Sequence, residues 1–140
     1  METIVVGFDG SETSVVALDW VAERAAHRPV RVEIVTIGGT MLQDGPDAPL
    51  RDAARRITDR APDTEVDAHR FAGRMPDALL ERARRADLLV VGSHRGRPVW
   101  SALARWMPLR VASRASSPAA VVPDDWEATS GKVIVGMDDD

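Results

Sequence analysis

Three features of this 140-residue sequence predict a doubly wound α/β domain on a five-stranded parallel sheet. Short strand-like apolar runs alternate with amphipathic helical stretches along most of the chain, the pattern of repeated β-α crossovers. Two of the runs, Thr3–Phe8 and Asp87–Gly92, are rich in Val, Ile and Leu over a few residues, as in strands buried on both faces. Each ends in small or polar residues, Asp9-Gly10-Ser11 after the first and Gly92-Ser93 after the second. In open parallel sheets ligands sit beyond the carboxyl ends of strands where the strand order reverses. The crevice is therefore expected between these two ends.

The elements follow in order. Ser11 is placed to cap a helix whose first turn holds Glu12, a favourable charge at the positive end of the helix dipole. That helix carries Val15, Leu18, Val21 and Ala22 as its expected inner face and stops near His27, since Pro29 follows. Val30–Ile37 alternates as a second strand, with Thr36 near its end and Gly38-Gly39 beyond. A loop over residues 41–48 precedes a charged helix, Pro49–Arg60, with Leu50, Ala53, Ala54 and Ile57 on its apolar side. Thr64–Phe71 alternates weakly and reads as an edge strand. Pro76 stands at the start of a helix that turns Leu79, Leu80 and Ala83 inward, a position where its missing N–H costs nothing. After the fourth strand come a loop and broken helix over 94–114, a last strand at Ala119–Val122, and an acidic turn at Asp124-Asp125.

Composition removes several function classes. Net charge is −4, with Lys132 the sole lysine among 18 basic residues, so no global basic field exists for nucleic acid. No apolar run nears the roughly 20 residues of a membrane span, and Met1-Glu2-Thr3-Ile4 shows no leader pattern. Without Cys there are no disulfides or thiolate metal sites, and a cytoplasmic location is expected. His27, His69 and His94 are scattered without ligand spacing, so no metal is expected. Neither a Gly-x-Ser-x-Gly elbow nor a Gly-x4-Gly-Lys-[Ser/Thr] loop occurs, and no enzymatic activity is expected.

Four segments, in order and at matching intervals, resemble the universal stress protein family. They are Val6-Gly7-Phe8-Asp9-Gly10-Ser11, Gly73-Arg74-Met75-Pro76, Ala86–Ser93 and Ser117–Val122, so the likeness spans residue 3 to about 123. The resemblance implies a Rossmann-like sheet of order 3-2-1-4-5 and dimerisation, often through the last strand. It also implies that nucleotide-binding members carry a loop of form G-x2-G-x9-G-[ST] after the fourth strand. Glycines there let backbone N–H groups approach phosphates without a Cβ clash. In this chain Gly92 fits the first position, but Arg95 and Arg105 replace the next two glycines and Trp106 replaces the hydroxyl residue. Using Gly96 instead places Trp106 and Met107 at the last two positions, so no register restores the pattern. An Arg in a positive-φ glycine position would cost on the order of 1 kcal/mol or more. Tight ATP binding is not expected, and no cofactor is assigned.

The expected crevice comprises Asp9, Gly10, Ser11, Thr36, Gly92 and Ser93. Asp9 has two readings. The resemblance implies that it helps position a nucleotide; the plainer alternative is that it only caps the following helix with Ser11. Arg95, Arg97 and Arg105 are similarly open: guanidinium forks could hold an anion, or the run is a solvated face. The leading expectation is a non-catalytic regulatory or interaction module. The alternative is an adenine-nucleotide or anion binder that takes ATP or AMP with Mg in the crevice. An enzyme of the wider adenine-nucleotide fold group rests on fold analogy alone.

Trp100, Leu103 and Met107 form an apolar stripe suited to core or, alternatively, to a dimer interface. Residues 1–123 make the domain and 124–131 a linker. In 132–140, Lys132–Asp138 repeats Thr3–Asp9, with Val, Gly and Asp matched in register. That repeat points to the first strand of a second copy in a tandem protein, or to a strand swapped with a neighbour, against chance likeness of buried strands. Homodimer or tandem pairing is expected, without nucleic acid or membrane.

Overall fold

A computed structural model describes residues 1–38, 48–74, 77–93 and 118–127, together with the backbone of 134–136. Its elements are β1 (Glu2–Gly7), α1 (Glu12–His27), β2 (Val30–Ile37), α2 (Ala48–Arg60), β3 (Glu65–Phe71), α3 (Asp77–Arg82), β4 (Leu88–Ser93), β5 (Ala119–Pro123) and β6 (Ile134–Gly136). The sheet order is β3-β2-β1-β4-β5-β6. Its first five strands are parallel, in the arrangement 3-2-1-4-5 expected from the sequence. The 132–140 segment contributes a further strand: β6 pairs antiparallel with β5, Val121 opposite Ile134 and Ala119 opposite Gly136.

Period-2 alternation divides the strand side chains between two cores. Ile4, Val6, Val32, Ile34, Val90 and Ala120 face α1 and α2, where Leu18, Val21, Leu50, Ala53 and Ile57 meet them. Val5, Val35, Leu89, Val91 and Val121 face the other way, against Leu79, Ala83 and Ala86 around α3. Burial on both sides explains why β1, β4 and β5 read as unbroken apolar runs.

Helix α1 rolls slightly from its expected orientation. Ser14, Ala17, Leu18 and Val21 point inward, while Val15 is only half-buried. A polar residue is tolerated at that inner position because Ser14 Oγ donates to the Ser11 carbonyl at 2.8 Å. Helices α1 and α2 are clamped on the solvent side, Arg56 bidentate on Asp19 at 2.6 and 3.0 Å and Arg60 on Glu23 at 2.8 Å. Such exposed pairs contribute ~0–1 kcal/mol each and serve mainly to set the helix spacing. At the opposite end of the sheet Asp87 staples β4 to β1: its Oδ2 accepts from Thr3 N and its own N–H donates to the Thr3 carbonyl, both at 2.8 Å.

Candidate functional site at the carboxyl ends of β1 and β4

The parallel pairing of β1 with β4 runs from Ile4↔Leu88 to Val6↔Val90, and Asp9 and Ser93 each follow three residues beyond its last pair. The chain leaves β1 in a fixed direction. Phe8 N donates to the Val35 carbonyl at 2.9 Å, and the Phe8 carbonyl accepts the Thr36 hydroxyl at 2.7 Å. Gly10 then adopts φ +84°, a conformation open to Gly at little cost and rare for other residues. That turn brings Ser11 to the start of α1.

Asp9 and Ser11 form a local hydrogen-bond chain. Asp9 Oδ1 accepts from Ser11 N at 2.9 Å and from Ser11 Oγ at 2.5 Å. With its proton given to Asp9, Ser11 Oγ accepts from Thr13 Oγ1 at 3.0 Å and from Ser14 N at 3.3 Å. Ser11 is thus the N-cap expected from the sequence, and Asp9 is held through it at the positive end of α1.

Gly92 lies hard against this same turn. A Cβ there would overlap the Thr13 carbonyl and stand 3.1 Å from Ser14 N. The need for glycine at 92 is therefore set by the packing of β4 on α1, and phosphate approach is not required to explain it. Of the expected crevice residues, Asp9, Gly10, Ser11, Gly92 and Ser93 converge on the ends of β1 and β4. Thr36 lies on the β2 side, 7% exposed, with its hydroxyl committed to Phe8. Arg95, Arg97, Arg105 and Trp106, with the rest of the loop at 94–117, fall outside the described residues.

A groove of about 470 Å³ borders this site over the outer surface of α1, lined by Gly10, Glu12, Val15, Val16, Asp19, Arg56 and Asp124. It shares only Gly10 with the expected crevice. Its charged lining is three carboxylates against one guanidinium, and that guanidinium already holds Asp19. Sequence reasoning missed Thr13 and this groove, because a buried hydroxyl inside a helix and a surface assembled from two helices and two turns leave no local motif. Gly38 is better marked: its N–H donates to the Phe71 carbonyl at 2.8 Å and its carbonyl accepts from Arg70 at 2.9 Å, securing the end of β2. Among the described residues no His, Asp and Glu cluster of metal-binding size occurs, and no helix is long and apolar enough to cross a membrane.

The sequence model of the Universal stress protein family matches residues 1–123. The chain belongs to this family. A universal stress protein solved in complex with cAMP is 30% identical, with 88% of this chain and 97% of that one covered and a TM-score of 0.64. A protein from Mycobacterium tuberculosis H37Rv is also 30% identical, over 83% of this chain and 90% of its own, at a TM-score of 0.56. The universal stress protein from Archaeoglobus fulgidus in complex with dAMP shares the fold at 21% identity, covering 86% and 97% with a TM-score of 0.62. Among curated proteins none matches.

Proposed function

We propose that this universal stress protein domain is a non-catalytic regulatory module that does not bind ATP tightly. One observation carries the reading: the described mouth of the site offers carboxylates, and the hydroxyls of Ser11 and Thr36 are bonded within the protein. Asp9 and Glu12 both stand at the N-terminus of α1, where a phosphate would otherwise profit from the helix dipole. Ser11 Oγ and Thr36 Oγ1 are engaged by Asp9 and the Phe8 carbonyl. The composition of the following loop supports the same reading, since Arg95, Arg105 and Trp106 replace two glycines and a small hydroxyl residue. A triphosphate therefore does not fit the residues present, and no cofactor is assigned. Pairing with a second copy or a tandem neighbour is the route by which such a domain acts, in the cytoplasm.

Calorimetric titration with Mg-ATP tests the reading. The expected dissociation constant is no tighter than ~100 μM, about −5.5 kcal/mol. Micromolar binding abolished by Asp9→Ala would overturn it.

A second reading is favoured by the relative at 30% identity captured with cAMP. An adenine mononucleotide brings less negative charge than a triphosphate, and Asp9 is already oriented to receive a donor. The same titration with cAMP and AMP separates the two: saturable binding of either at micromolar levels, with ATP excluded, selects the second.

A further inference from the structure

The sheet ends in two unlike strands. At one end is β6, three residues long, which occupies the outer side of β5 over Ala119–Val121. At the other is β3, seven residues long, whose outer side no described strand covers. Edge strands expose unpaired N–H and C=O groups that template the addition of another strand; a very short edge is one defence and charge along the edge is another. The first defence belongs to β6. On β3 there is charge instead, and its order along the strand matters.

Pairing with β2 fixes which main-chain groups of β3 face outward. The Phe71 carbonyl accepts from Gly38 N at 2.8 Å, so Phe71 turns its main-chain groups toward β2. Successive residues alternate: Glu65, Asp67 and His69 also turn theirs toward β2, and Val66, Ala68 and Arg70 turn theirs outward. Val66 and Ala68 pack their side chains on the α1 and α2 side, while Phe71 packs on the α3 side and shares that face with Glu65, Asp67 and His69. There the Arg82 guanidinium lies 3.6 Å from the centre of the Phe71 ring, and the His69 ring stands 5.9 Å from it. The row thus runs from Glu65 and Asp67 at its acidic start to His69 and the Phe71–Arg82 stack at its cationic end. Arg31 reaches Glu65 at 3.4 Å and Asp67 at 3.7 Å, yet those two side chains stay 64% and 47% exposed.

We propose that β3 is the edge through which two copies of this chain pair, antiparallel and with Ala68 opposite Ala68. In that register Val66, Ala68 and Arg70 exchange main-chain hydrogen bonds across the two-fold axis. Asp67 and His69 then fall at a non-hydrogen-bonded pair, where opposed side chains come closest. Asp67 meets His69 of the second copy, and Glu65 meets its Phe71–Arg82 stack, each twice by symmetry. Opposite charges directly across two strands favour pairing and like charges oppose it. An imidazole keeps an N–H donor in either charge state, so the contact with Asp67 needs no titration. Moving the axis to Asp67 or to His69 would set that residue against itself, so the charges that turn other strands away also fix this register. The inference rests on the pairing role proposed above and names its surface; nucleotide binding is a separate matter.

Charge exchange in the full chain tests it, with mass read by light scattering and folding checked by circular dichroism. The unmodified chain is expected at twice its monomer mass at high micromolar concentration. Asp67→Lys opposes two basic groups across the axis, and His69→Glu opposes two acidic ones. Each is expected to weaken pairing about tenfold or more. The double variant Asp67→Lys/His69→Glu brings opposite charges together again and is expected to recover the mass. A dimer indifferent to the single changes, or a double variant that pairs no better than either, would overturn this inference and leave the pairing role standing. A chain that is monomeric throughout would overturn both.

Discussion

Gly92 on β4 and Thr13 in the first turn of α1 approach so closely that no side chain fits between them: a Cβ on Gly92 would overlap the Thr13 carbonyl. The obstacle is backbone rather than a movable side-chain end, so strand and helix can only separate. Gly92→Ala is expected to cost ~1–3 kcal/mol, in the range for overpacking. Urea unfolding would read this as a lowered midpoint with unchanged slope. Wild-type stability in the variant would mean that the contact is not retained in solution.

The Ser11 hydroxyl joins two functions, capping α1 and holding Asp9. Ser11→Ala should cost ~1 kcal/mol, the usual worth of an N-cap. It should also release Asp9, seen by NMR as added side-chain motion at Asp9, since the Ser11 hydroxyl that holds its Oδ1 is gone. Ser11→Asp restores a cap acceptor and should recover helix stability without recovering that tether.

Glu2 and Arg24 form a bidentate pair at 2.7 and 2.9 Å, joining the start of β1 to α1. The hydrogen bond from Arg24 is the main reason the Glu2 carboxyl lies below its ordinary value of 4.5, against partial desolvation that pushes it up. A depressed carboxylate value favours the folded state at pH above the unfolded value, and that stabilisation fades as pH falls through the folded value. Glu2→Gln should therefore be less stable than the parent near neutral pH. The gap should shrink below pH 4.5. Denaturant titrations at pH 7 and pH 3 check this; an equal gap at both would assign the effect to something other than ionisation.

Trp126 is the one aromatic residue described in the turn after β5, and it is buried in the main core. Trp126→Ala should cost ~3–5 kcal/mol by the usual cost of a large-to-small core change. Hydrogen exchange should accelerate at β5 amides ahead of those in β1 if the turn is what holds that end of the sheet.

The fold was legible because its strands are buried on both faces. In β1, β4 and β5 the demand for apolar residues on two sides produces runs too short for helices and too continuous for surface strands. The Ser11 cap was legible for a local reason: Asp9-Gly10-Ser11 is a turn followed at once by a helical pattern. Val15 was misplaced because a helix has several apolar candidates for its inner face, and the inward hydroxyl of Ser14 is stable only through a bond to Ser11 O, which hydropathy does not see. Gly92 fits the first position of the family's loop pattern, but sequence shows that a side chain is missing without showing what occupies its space. Its neighbour, Thr13, comes from a different element and is brought there only by folding.

Phe8, just past the last residue of β1, has both backbone groups tied to β2, its N–H to Val35 and its carbonyl to Thr36. The path toward Asp9 is thereby set by the sheet itself. Whatever meets that carboxylate meets a group whose freedom was surrendered when the chain folded, so the entropic cost of association falls on the visitor.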